Sequence, residues 1–127
     1  MDRRLTFMAF GVVLWLVGVI VIRVAGPWFF DAGWRHVLFF ALNFVVGGAT
    51  VALVARMTGR TRQAMVVPTV IIAMVAMLLD GLAVTLDAAG ITHIYADTPR
   101  MAAYAGGLLL FAFWSALAFA LYWHQES

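Results

Sequence analysis

Long runs of apolar residues, separated by short polar segments, dominate this chain. Each run reaches the ~20 residues that an α-helix needs to cross the hydrocarbon core of a bilayer. Strands of a membrane barrel would alternate polar and apolar side chains, and these runs do not. The pattern therefore predicts an all-α polytopic membrane protein, an antiparallel bundle of four transmembrane helices in a single domain of residues 1–127. The predicted helices cover approximately residues 5–23, 37–56, 64–86 and 100–123.

The composition agrees with a membrane protein and excludes several other classes. Hydrophobic residues make up 65% of the chain and charged residues 11%, with a mean hydropathy of +1.01, whereas about a quarter of the residues in a soluble domain are charged. Eight basic side chains are too few for a nucleic-acid-binding face. The absence of cysteine excludes disulfides and thiolate chemistry. No catalytic motif occurs, so we expect neither an enzyme nor a bound cofactor.

The distribution of arginine predicts the orientation of the helices in the membrane. Cytoplasmic segments carry an excess of positive residues, and five arginines flank one set of helix ends against three at the other. We therefore expect both termini in the cytoplasm, in a bacterial inner membrane. The first run exceeds the ~7–15-residue core of a secretory signal, so we expect it to be a retained helix. The majority side holds Arg3, Arg4, Arg56, Arg60 and Arg62, and the minority side holds Arg23, Arg35 and Arg100.

Small residues recur along one face of three predicted helices, four or seven positions apart. Lipid gives helices no hydrophobic reason to associate, so smooth faces of this kind predict close helix packing. The packing lies either within the bundle, or at the seam of a homodimer or a partner membrane protein. The residues are Gly11 and Gly18, Gly48 and Ala52, and Ala112, Ala116 and Ala120.

The third run carries two acidic residues on a face of small side chains. Spacings of three and four residues place the set on one side of a helix. A charged side chain facing lipid would cost ~2.5–3.5 kcal/mol on insertion scales. We therefore expect this face to look into the bundle or toward a partner. It consists of Ala73, Ala76, Asp80, Ala83 and Asp87.

Asp80 is the centre of a candidate intramembrane polar site. At about 1.5 Å per residue, Asp80 lies roughly 9 Å below the outer end of its helix, and Asn43 reaches the same depth on the second helix. Tyr104 lies at a similar depth, and Arg23 is long enough to reach Asp87 or Asp80. The cluster acts either as a buried polar clip that fixes helix register, or as a proton- or cation-binding site. If the third helix is shorter, Asp80 simply reaches the headgroups.

The predicted outer loops supply a second set of candidates: His36, His93, Tyr95, Asp97 and Arg100. These residues are too sparse for a metal site, and we expect none. Asp97 or Thr98 followed by Pro99 has the pattern of a helix start, which indicates capping. Aromatic residues at the predicted helix ends fit an interfacial belt, namely Trp28, Trp34, Tyr95, Tyr122 and Trp123. The aromatic segment 26–36 suits a position in the interface plane or over a lateral opening.

Two segments carry a resemblance to a known family. Residues 3–29 read RRLTFMAFGVVLWLVGVIVIRVAGPWF, and residues 78–86 read LLDGLAVTL. The chain resembles a family of small bacterial four-helix membrane proteins of unknown function. The shared features are the first arginines, an apolar run with an internal tryptophan, the sequence Arg-Val-Ala-Gly and an Asp-containing third helix. The resemblance covers nearly the whole chain. It implies the four-helix architecture and no particular activity or site residue.

Three functions remain open from the sequence. The first is an accessory or interaction subunit that packs beside a larger membrane complex through its small-residue faces. The second is a small dimeric transporter or permeation pathway with Asp80 as a proton or cation site. The third is a binder of lipid, quinone or pigment, with aromatic and methionine side chains around an apolar pocket.

Overall fold

The computed structural model describes residues 3–29 and 33–125, and within those ranges the regular secondary structure is helical. Four α-helices are joined by short connections: α1 (Arg3–Phe29), α2 (Gly33–Met57), α3 (Val66–Ala88) and α4 (Pro99–Gln125). A 3-10 turn (Arg62–Ala64) precedes α3. Each of the four helices is long and apolar enough to cross a membrane. The predicted all-α class and number of helices are confirmed.

The helix ends differ from the sequence prediction mainly between α1 and α2. The prediction placed a loop from residue 24 to residue 36, but α1 continues to Phe29 and α2 begins at Gly33. Pro27 lies inside α1. Hydropathy marks only the part of a helix that resembles hydrocarbon, so polar and aromatic turns at its ends carry no signal. The predicted loop is therefore wrong for residues 24–29 and 33–36, while residues 30–32 fall outside the described ranges. The position of segment 26–36 in the interface plane or over a lateral opening stays a prediction.

The helices pack in an order that differs from their order along the chain. The main contacts are α1 with α3, α3 with α4, and α4 with α2, whereas the consecutive helices α1 and α2 touch little. Close approaches at glycine mark each main interface. Gly11 of α1 lies against Ile72 of α3, and Gly106 of α4 lies against Val84. One side of the bundle, between α1 and α2, is thus loosely closed.

Two clusters of buried apolar side chains fill the interior. One contains Ile22, Ala83 and Leu108, together with Tyr95 from the α3–α4 connection. The other gathers side chains near the opposite helix ends, among them Met65, which is fully buried. The outside of the bundle is covered by exposed large apolar side chains, including Leu16, Ile20, Leu42, Leu53, Leu78 and Leu110.

Most of the predicted small-residue faces serve packing within this chain. A Cβ added at Gly11 would stand 2.8 Å from the Ile72 carbonyl oxygen, and one at Gly48 would stand 2.9 Å from the Phe119 ring. Gly47, which the sequence analysis did not include, is as tight: its Cβ would stand 2.9 Å from the backbone nitrogen of Ala116. With contacts this short a neighbouring group must move to admit a side chain, so glycine allows the close helix separation at these points.

Candidate functional site

The acidic face of α3 points inward. The five residues that share it, Ala73, Ala76, Asp80, Ala83 and Asp87, are all buried. Asp80 is 6% exposed and Asp87 is 3% exposed. The prediction from their spacing is confirmed, because small neighbours allow α1 and α4 to close over the two carboxyl groups.

A hydrogen-bond chain ends on Asp80. The indole Nε1 of Trp15, on α1, donates to the phenol oxygen of Tyr95 at 2.8 Å. The Tyr95 hydroxyl in turn donates to Oδ1 of Asp80. An indole N–H can only donate, so the Tyr95 oxygen must accept from Trp15 and its proton must point to Asp80. The direction of both hydrogen bonds is therefore fixed: Trp15 donates to Tyr95, and Tyr95 donates to the Asp80 carboxyl group.

Asp87 fixes the connection that brings Tyr95 into the bundle. Its Oδ1 accepts from the Thr92 hydroxyl at 2.5 Å and from the Ile94 backbone N–H at 2.8 Å, and its Oδ2 accepts from the Tyr95 backbone N–H at 2.7 Å. A carboxylate that accepts several backbone N–H groups holds a tight turn. Asp87 therefore clamps the α3–α4 connection over the end of the bundle.

Tyr95 lies inside the bundle. The sequence analysis assigned it to an interfacial aromatic belt and to the outer loops, but the side chain is only 1% exposed. The belt assignment is wrong because the Asp87 clamp turns residue 95 inward, which hydropathy cannot show. Burial, and next the hydrogen bond to Asp80, raise the pKa of the Tyr95 phenol well above its ordinary value. Tyr95 therefore stays a hydrogen-bond donor at physiological pH.

Arg23 does not reach the buried carboxyl groups. It pairs with Asp97 of the α3–α4 connection, with Nη2 and Oδ1 2.9 Å apart. The prediction that Arg23 reaches down to Asp80 or Asp87 is thus wrong. Both partners are substantially exposed, at 43% and 79% of their side chains, so this pair avoids the desolvation that a buried ion pair requires.

Asn43 and Tyr104 form hydrogen bonds with groups other than Asp80. Asn43 Nδ2 donates across to the Leu108 carbonyl of α4 at 2.9 Å. Tyr104 accepts from Arg100 Nε at 3.2 Å and packs edge-on against the His36 ring, 4.6 Å between centroids. The predicted single cluster is therefore divided into several local groups, because helix rotation about the axis, which depth alone does not give, sends these side chains in different directions.

The remaining outer-loop candidates have simple surroundings. His93 is exposed. The hydroxyl of Thr98 accepts from the Met101 N–H at 3.3 Å, so the predicted helix start and its capping by Thr98 are confirmed. Asp97, the other capping candidate, instead pairs with Arg23. Within residues 3–29 and 33–125 no three acidic or histidine side chains converge as a metal site would need.

A cavity of about 210 Å³ lies at the loosely closed side of the bundle, lined by all four helices. It is larger than the engineered apolar cavity of about 150 Å³ that binds benzene. On α3 the lining runs from Thr69 to Asp80, a rise of about 16 Å at 1.5 Å per residue. The cavity is therefore elongated along the bundle. Its wall is apolar except for five side chains with polar atoms: Trp15, Asn43, Thr50, Thr69 and Asp80.

Two side chains of this lining each have a buried polar atom without a hydrogen-bond partner among the residues that the structure describes. These atoms are Oδ2 of Asp80 and Oγ1 of Thr69. The other polar groups of the wall are engaged: Thr50 donates to the Val46 carbonyl at 2.8 Å, and Trp15 and Asn43 donate as described above. A buried polar group without a partner is expensive, by about 1–3 kcal/mol, and such groups concentrate at functional sites.

Searches against protein-family models, curated proteins and solved structures found no match to this chain. The resemblance to small bacterial four-helix membrane proteins therefore stays a prediction.

Proposed function

We propose that this protein is a multi-pass membrane protein that binds an amphiphilic molecule in the cavity between α1 and α2. The four apolar helices would cross the bilayer in alternating directions, with both termini on the cytoplasmic side as the arginine distribution predicts. Exposed apolar side chains around the bundle support this placement, since water solvates them poorly. The α1–α2 opening then faces lipid.

The lateral cavity is the observation that carries the proposal. It is elongated, apolar and bordered by exposed residues of α1 and α2, among them Val17, Val21 and Val46. An occupant could therefore enter from the bilayer without passing through water. An apolar wall with a few polar groups is the usual form of a small-molecule site, in which the apolar area gives affinity and the polar groups give orientation.

The geometry favours binding over the two alternatives from the sequence. Gly11 and Gly48 pack closely against helices of the same chain. These two glycines are therefore not free to contact a partner subunit, which weakens the accessory-subunit hypothesis. A permeation pathway needs an outlet, and the buried Tyr95 side chain covers Asp80 on the side of the α3–α4 connection.

A cavity-filling substitution tests the proposal. Ala112 lines the cavity from α4, whereas Ala103 is exposed on the same helix. We expect native mass spectrometry of protein released directly from membranes to show an amphiphile bound to the wild type and to Ala103→Leu. The adduct should be lost in Ala112→Leu, because the larger side chain occupies the site. Equal adducts in both variants, or no adduct in the wild type, would contradict the proposal.

A further inference from the structure

We infer that the amphiphile bound in the cavity carries a protonated amine, which pairs with Oδ2 of Asp80. This inference rests on the proposed function and specifies the headgroup of the ligand. It follows from the charges of the cavity wall and from the direction of the hydrogen bonds around Asp80.

Among the residues that the structure describes, the wall of the cavity holds one acidic side chain and no basic one. Among its described lining residues, Asp80 is the single ionisable group. The arginines near the same end of the bundle are engaged elsewhere: Arg23 with Asp97, Arg35 with the Trp28 carbonyl, and Arg100 with Tyr104. A carboxylate in an apolar site without a cation is strongly destabilised. A ligand cation would supply this charge balance, whereas an empty site would hold the neutral, protonated carboxyl group.

The free oxygen of Asp80 can accept one more donor. Oδ1 already accepts from Tyr95, and Tyr95 has no second proton to give. Asn43, the one side-chain amide in the wall, donates to Leu108. Oδ2 thus has no donor among the described residues. An ammonium group brings both the missing positive charge and the missing N–H.

A metal ion fits this arrangement poorly. Calcium takes about six to eight oxygen ligands, and magnesium requires a near-octahedral set. The wall offers one free carboxyl oxygen at Asp80 and one free hydroxyl at Thr69, separated by eleven residues of helix, or about 16 Å. The wall is better suited to an amphiphile than to a metal ion. Its headgroup would need a single contact at Asp80, and its apolar chain would lie along the cavity.

A headgroup series at constant chain length tests the inference. Dodecylamine, dodecanol and laurate share a twelve-carbon chain and differ in charge, and their binding to the purified wild-type protein in nanodiscs is compared by native mass spectrometry. We expect dodecylamine to bind at least tenfold more tightly than dodecanol, equivalent to about 1.4 kcal/mol, and laurate to bind most weakly. Equal affinity for the amine and the alcohol in the wild type overturns the inference, and this comparison needs no variant to fold.

Two variants locate the preference. Asp80→Asn should lose the preference for dodecylamine over dodecanol, so that the two affinities lie within about twofold of each other. Asp97→Asn removes an exposed carboxylate outside the cavity and should keep the preference. A preference that survives in Asp80→Asn assigns the amine to another site and overturns the inference. If all three compounds bind alike, the inference fails and the proposed function stands. If none binds, the proposed function fails as well.

Discussion

Replacement of Gly47 by alanine should separate α2 from α4. The added Cβ would stand 2.8 Å from Ser115 Cβ and 2.9 Å from the Ala116 nitrogen, whereas carbon atoms in contact normally lie about 3.5–4.0 Å apart. The two helices must therefore move apart by about 0.7–1 Å. Overpacking of this kind costs typically ~1–3 kcal/mol. The hydrogen bond from Ser115 to the Phe44 carbonyl would lengthen too, at a further cost of about 1 kcal/mol.

Gly81 provides the matched control. It lies exposed in the middle of α3, with no atom within 4 Å of an added Cβ. Gly81→Ala should leave stability unchanged or raise it by up to ~1 kcal/mol, because alanine favours a helix over glycine. Unfolding in mixed micelles with increasing SDS, followed by tryptophan fluorescence and circular dichroism, gives both values. Gly47→Ala gains the same helix propensity, so we expect it to lose about 1–3 kcal/mol net. A difference between the two variants below about 0.5 kcal/mol would refute the packing argument.

Three further predictions concern the polar groups. The raised pKa should keep the Tyr95 phenol protonated at about pH 11, above the ordinary phenol pKa of ~10. Folded Tyr95→Phe and folded wild type should therefore show the same tyrosinate absorbance at that pH. A variant signal smaller by one tyrosinate would contradict this. Asp87→Asn should speed hydrogen exchange at the Ile94 and Tyr95 amides at least tenfold, which corresponds to a fall of about 1.4 kcal/mol in the free energy of local opening. Unchanged exchange rates would disprove the clamp. Asn43→Leu removes the hydrogen bond to the Leu108 carbonyl. Because a single interhelical hydrogen bond contributes little in a membrane protein, the free energy of unfolding in SDS should fall by less than about 1 kcal/mol. A fall of more than about 2 kcal/mol would contradict this estimate.

The sequence was sufficient for the elements whose signal is local. Apolar runs predicted the four helices, and the three- and four-residue spacing around Asp80 and Asp87 predicted a buried face on α3. The start of α4, capped by Asp97 or Thr98, was also readable, because the residue types at a helix start follow from the unpaired N–H groups there. The structure decides for Thr98. In each case the physical cause lies within a few residues along the chain.

The partners of Asp80 could not be predicted from the sequence. Trp15 contacts Tyr95 across 80 positions, and Tyr95 reaches Asp80 only because Asp87 turns the connection inward. Depth in the membrane can be counted from a helix end, but the rotation of each helix about its axis depends on packing against its neighbours. That is why Asn43 and Arg23, although at suitable depths, have other hydrogen-bond partners.

Photo-crosslinking tests the central claim, that an apolar chain occupies the cavity between α1 and α2, most directly. A dodecanol that carries a diazirine near its chain end is irradiated with the protein in lipid nanodiscs, and the labelled peptides are mapped by mass spectrometry. The account predicts labels on cavity residues such as Val17 and Val46, suppressed by an excess of unlabelled dodecanol. Labels spread equally over outward-facing residues such as Leu78 and Leu82 of α3, without suppression, would contradict it.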